Sequence, residues 1–110
     1  MLSFPPFRLD LESERLWKDE AAVHVRRKPF AILRHLANNP RRLVTRAEII
    51  EVVWGKIAMS ENLLRQHIHD LRRVLGQGIV ETVPGRGYRF LPEVTNVEPD
   101  AGGKTPVAGG

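Results

Sequence analysis

Residues 80–92, VETVPGRGYRFLP, decide the fold of this chain. Two short runs rich in β-branched and aromatic residues stand on either side of Val83-Pro84-Gly85-Arg86. Pro84 and Gly85 take the two central positions that a type II turn prefers, so the stretch predicts a β-hairpin. The turn explains the proline and the glycine. It does not explain Arg86, which puts a charge at the tip that the backbone does not require.

Upstream of the hairpin, ENLLRQHIHDLRRVLG predicts a helix capped by Ser60 and stopped at Gly76. Leu64, Ile68, Leu71 and Leu75 form one narrow apolar stripe. The opposite side carries Arg65, Gln66, His69, Asp70 and Arg73, with Asn62 at its N-terminal end and Arg72 at the flank. Such long or planar side chains donate to base edges in a major groove, or to phosphates. TRAEIIEVVWG predicts a preceding helix: Thr45 and Glu48 make a T-x-x-E capping box, Gly55 ends it, and Ile49, Ile50, Val53 and Trp54 form its buried side. PFAILRHLANNP predicts a first helix between Pro29 and Pro40. Before it, the apolar positions of residues 7–25 alternate in three short runs around Leu9, Leu16 and Val23, as a three-stranded antiparallel meander would. The expected fold is therefore α+β, with a meander, three helices and a C-terminal hairpin.

Composition agrees with one small domain: 110 residues, 42% apolar and 27% charged. With no cysteine, disulfides and thiolate metal sites are excluded and a reducing cytoplasm is the natural reading. No apolar run approaches the roughly 18 residues of a membrane helix. The net charge of +4 is unevenly placed, because residues 1–91 hold 16 of the 17 Lys+Arg but ten of the 13 Asp+Glu. A basic body points to a polyanionic partner. Beyond Leu91 the chain is rich in Gly and Pro without periodicity, so residues 1–91 are expected to be the domain and 92–110 a flexible tail or linker.

Helix, short turn, capped helix and basic-tipped hairpin is the order of a winged helix-turn-helix. In that arrangement the third helix enters the major groove, and Arg86 reaches a minor groove whose negative potential attracts it. Arg89 and Thr82 in the hairpin strands are placed to touch phosphates or to steady the wing. Gly85 and Gly87 let the backbone approach closely.

The segments RLVTRAEIIEVVWG, HIHDLRRVLG and TVPGRGYRF together resemble the effector domain of the OmpR and PhoB response regulators, which also begins regulators of the ToxR and CadC type. The resemblance runs over about residues 7–91 and includes the N-terminal meander. It implies a DNA-binding transcriptional regulator, with double-stranded DNA as partner and weak head-to-tail pairing on tandem sites. It also implies that the segment between the second and third helices, Gly55, Lys56, Ile57, Ala58 and Met59, faces RNA polymerase. Because the basic domain starts almost at Met1, any sensory part is expected to follow the linker, as in CadC-type regulators. Under this reading Arg72, Arg73 and Arg89, with Thr45 and Arg46 at the start of the second helix, hold phosphates. Arg65, Gln66, His69 and either Asn62 or Asp70 read bases.

Three departures from the family pattern stand out. Asp70 occupies a position where members commonly carry a base, and Pro84 leaves Arg86 as the main cation of the wing tip. Arg26, Arg27 and Lys28 crowd the positive end of the first helix, where an acid is usual and where each cation costs about 0.3–1 kcal/mol at most. Those three are expected to meet an acidic patch on a partner.

Two other classes compete. An enzyme would need a site, and His24, His35, His67 and His69 form none; His67 and His69 project about 200° apart on their helix and cannot chelate one metal. No nucleophile elbow, P-loop or paired-carboxylate motif appears, so no cofactor or metal is expected. The alternative is a winged helix that binds only protein. Such a copy would lose its basic face, whereas Arg65, Arg72, Arg73 and Arg86 are all present.

Overall fold

Alternation in the N-terminal strands becomes a line of side chains across a sheet. In a computed structural model that describes residues 1–55 and 60–96, β1 (Leu2–Phe4), β2 (Phe7–Asp10), β3 (Arg15–Lys18) and β4 (Ala21–Val23) pair antiparallel. The register sets Leu2 opposite Leu9, Leu9 opposite Leu16 and Leu16 opposite Val23, so one face of the sheet is an apolar row. The meander thus has one strand more than the sequence predicts. β1 is three residues long and ends at Pro5-Pro6, too short to show alternation. A two-residue strand beyond the wing, Thr95–Asn96, completes a five-stranded sheet by pairing with β1. This sheet therefore takes in residues beyond Leu91.

Three helices follow among the described residues. α1 (Arg27–Ala37) buries Phe30, Ile32, Leu33 and Leu36, and its N-terminus has no side-chain cap. α2 (Arg46–Trp54) starts at Thr45, whose Oγ1 accepts from the Glu48 N–H at 3.1 Å. Only Ile49 of its expected apolar side is fully buried; Ile50, Val53 and Trp54 are half-buried against the core margin. α3 (Glu61–Leu75) starts at Ser60, whose Oγ accepts from the Leu63 N–H, and buries Leu64, Ile68, Leu71 and Leu75 as its spacing predicts.

The wing has a third strand. β5 (Leu43–Thr45) pairs with β7 (Gly87–Phe90), which pairs with β6 (Val80–Val83), giving the order β5-β7-β6. LVT runs straight into the capping threonine, so the sequence shows it as the entry to α2 rather than as a strand. Phe4 of the first sheet meets Phe90 of the wing edge-to-face, with centroids 5.0 Å apart, and both belong to the one apolar cluster that joins sheets and helices. The tail strand, Thr95–Asn96, is called β8.

Candidate nucleic-acid interface

The buried stripe of α3 fixes the helix's rotation, and with it what points outward. Asn62, Arg65, Gln66, His69 and Arg73 are exposed, and Asp70 is half-buried at one edge of this face. Arg65 Nη2 donates to Asn62 Oδ1 at 3.1 Å, one turn earlier. Asn62, Arg65, Gln66, His69 and Asp70 line one shallow concavity. These five expected base-reading residues therefore share a surface.

At the wing tip, the Arg86 N–H donates to the Val83 carbonyl at 3.0 Å and Gly85 has φ +74°, as a type II turn requires. Arg86 is exposed. Its own carbonyl accepts from the Arg46 N–H at 3.3 Å, which ties the tip to the N-terminus of α2. Thr45 and Arg46 thus sit beside the wing. Gly87 serves a different purpose from the one its position suggests. A Cβ there would overlap the Val44 carbonyl oxygen and come within 2.8 Å of Thr45 Cα, so the bare backbone is needed for β5 to pair with β7.

Four of the five expected phosphate-holding groups have internal partners, Thr45 Oγ1 among them as the cap of α2. Arg72 donates from Nε and Nη2 to the Val80 carbonyl, at 3.2 and 2.9 Å, and from Nη2 to Thr82 Oγ1 at 2.6 Å. Helix α3 is thereby clamped to the wing strand. Arg89 Nη1 pairs with Glu81 Oε1 at 3.0 Å, directly across the hairpin. Arg46 Nε lies 3.8 Å from Glu61 Oε2. The segment expected to face polymerase begins at Gly55, the C-cap of α2, whereas Lys56, Ile57, Ala58 and Met59 lie outside the described residues.

Other side chains gain roles that no local signal announces. The capping box is half-made, because the Glu48 carboxylate turns to Arg42 Nη2 at 2.7 Å and His35 Nε2 at 2.6 Å. The hydrogen bond from Arg42, and then that from His35, hold the Glu48 carboxyl down at about 2. Lys28 does not need an acidic partner. Its Nζ donates to the Val53 carbonyl at the C-terminal end of α2 and lies 5.5 Å from the centroid of the Trp54 ring, where helix dipole and ring face both favour a cation. Trp54 also stacks on His67, at 5.6 Å between centroids. Burial pushes the His67 imidazole below its usual range, and its Nδ1 has no hydrogen-bond partner among the described residues.

A capped helix with an acid-poor outer face, clamped to a hairpin with an exposed arginine, defines a winged helix-turn-helix of the DNA-binding kind. Known proteins agree. Residues 19–90 match the family described as "Transcriptional regulatory protein, C terminal", and the chain belongs to this OmpR/PhoB-type family of DNA-binding domains of transcriptional regulators. The transcriptional regulator HilA of Salmonella typhi is 31% identical over 102 residues, which cover 89% of this chain and 18% of HilA. The chain therefore spans under a fifth of that relative's length. The DNA-binding domain of E. coli CadC superposes with a TM-score of 0.78 at 19% identity, covering 86% of this chain and 94% of that one. That of Klebsiella pneumoniae RstA, solved in complex with the RstA box, gives 0.73 at 21% identity over 83% and 96%.

Proposed function

We propose that the chain binds double-stranded DNA with α3 in the major groove and Arg86 in the adjacent minor groove. The observation that carries this reading is the joint placement of two surfaces. The outward face of α3 is rich in Asn, Gln, His and Arg, and the Arg72 clamp holds it in fixed relation to the wing. Arg65, Gln66, His69 and Asn62 read base edges, and Asp70 accepts from a cytosine amino group. Arg73, Thr45 and Arg46 hold phosphates. Arg72, Thr82 and Arg89 act chiefly by holding the wing in place, since hydrogen bonds of 2.6–3.2 Å engage their polar atoms. Arg46, by contrast, has only a 3.8 Å ion pair, and the Thr45 hydroxyl, which accepts from the Glu48 N–H, still has its proton to donate. By family resemblance, residues 55–59 face RNA polymerase and two copies pair head-to-tail on tandem sites.

Fluorescence anisotropy on a random duplex pool, at 50 and 200 mM salt, tests the reading. Binding is expected to weaken steeply as salt rises, because phosphate neutralisation releases counterions. Arg86→Ala is expected to cost about 1–3 kcal/mol of binding, most of it on A·T-rich flanks. An equal loss on every flank would reduce Arg86 to a phosphate contact, and no binding at low salt would overturn the reading.

A further inference from the structure

We infer that a cleft between the start of α1 and the C-terminal half of α3, carrying Arg26, His24 and Arg73, is a second phosphate-backbone contact, on the side of the recognition helix away from the wing. The inference rests on the DNA-binding reading above and extends it to residues outside α3 and the wing. The cleft, of about 320 Å³, is lined by residues that include His24, Arg26, Pro29, Asp70 and Arg73. Asp70 lines both this cleft and the concavity on the outward face of α3, so the two surfaces are continuous.

The helix sets which side the cleft is on. Arg72, which reaches to β6, and Asp70, which edges the cleft, point roughly 160° apart around α3. The outward face lies between them. A helix seated in a major groove about 12 Å wide has a sugar-phosphate backbone along each side of it. Arg86, Thr45 and Arg46 all belong to the wing side, where the Arg46 N–H bonds to the Arg86 carbonyl and Thr45 pairs with Gly87. The other backbone faces the cleft.

The cleft's chemistry suits it. Arg26 and Arg73 are exposed and have no carboxylate partner among the described residues, while Arg34, Arg41, Arg42, Arg46 and Arg89 all do. Arg26 sits at the N-cap of α1, a helix with no acid in its first turn. Among the described residues Asp70 is the one carboxylate in the lining, against two guanidiniums and an imidazole. It lies at the seam with the base-reading concavity, so it turns toward bases while Arg26 and Arg73 turn toward phosphates. Of the three cations at the start of α1, Lys28 is committed to Val53 and Trp54 and Arg27 lines a separate cleft with Glu14 and Arg34, which leaves Arg26 for this one.

The test is anisotropy on the duplex selected from the pool, between 50 and 200 mM salt, with wild type, Arg26→Gln, Arg26→Lys and, as a control for the main reading, Arg65→Ala. Melting curves confirm that each variant is folded. Arg26→Gln is expected to bind about three- to tenfold more weakly, by a similar factor on every sequence, with the salt slope smaller by about one. Arg26→Lys is expected to keep most of the affinity and the slope. If Arg26→Gln matches wild type while Arg65→Ala fails to bind, the cleft does not touch DNA and the main reading stands. A loss that depends on sequence at an unchanged slope also overturns the phosphate assignment. If wild type binds no duplex, both readings fall together.

Discussion

Gly85 and Gly87 flank the same arginine, yet opposite physical demands fix them. Gly85 has a left-handed backbone with open space around it, so an added methyl meets only the intrinsic cost of that conformation. Gly85→Ala is expected to lose about 1–2 kcal/mol of stability. Gly87 has no such backbone requirement, but a methyl there would run into the Val44 carbonyl and Thr45 Cα. These are backbone atoms of a paired strand and cannot swing aside. Gly87→Ala is therefore expected to cost more, at the upper end of the roughly 1–3 kcal/mol typical of overpacking, and to part β5 from β7. Chemical denaturation of the two variants checks the order, and equal losses would mean that β5 yields easily. Thr45 ends β5 and Arg46 follows it directly, so Gly87→Ala is also expected to weaken DNA binding in the molecules that remain folded.

At the scale of elements, one side chain ties α3 to the wing strand β6. Arg72 joins α3 to β6 through three hydrogen bonds, and a phosphate contact would require at least some of them to be shared. Arg72→Met keeps the apolar stem and removes the guanidinium, leaving the Val80 carbonyl without that partner. The expected loss is about 1.5–3 kcal/mol of stability, as for hydrogen bonds from charged groups. DNA affinity should fall with the salt slope unchanged, whereas a slope smaller by about one would return Arg72 to the phosphate contacts. The sequence shows α3 and its face but not this clamp, and the difference is physical. Helix stripes, Ser60, Thr45 and the Pro84-Gly85 turn are local signals, legible within a few residues. β1, β5 and β8 are two or three residues long, which is too short for alternation to show. Arg72 on Val80, Glu48 on His35 and Lys28 on Val53 are partnerships that only the folded chain creates. The cleft at Arg26 escaped for the same reason, since its two walls come from distant parts of the chain.

For the whole molecule, the question is where the folded unit ends. Composition changes after Leu91, but the chain goes on to place Thr95 and Asn96 opposite Ser3 and Leu2 and to pack Val94 on the core. Two contributions follow from those last residues. Val94 buries part of an apolar side chain, worth up to about 1.5 kcal/mol. β8 also covers the outer edge of β1, which would otherwise present unpaired N–H and carbonyl groups. The ion pair between Arg41 and Glu93, at 3.8 Å and largely exposed, adds little. A chain cut after Asn96 is expected to melt as the full chain does. One cut after Leu91 is expected to lose about 1–2 kcal/mol, or roughly 4–15 °C for a domain of this size. DNA binding by the folded fraction should be little changed at 200 mM salt, because β8 lies at the opposite edge of the sheet from β4, the strand that leads into the Arg26 cleft. At 50 mM salt the shorter chain is expected to bind more tightly, since the cut removes three acids and one lysine and raises the net charge from +4 to +6. Identical melting of the two truncated chains would show that β8 adds nothing to stability and that the folded unit closes at the wing.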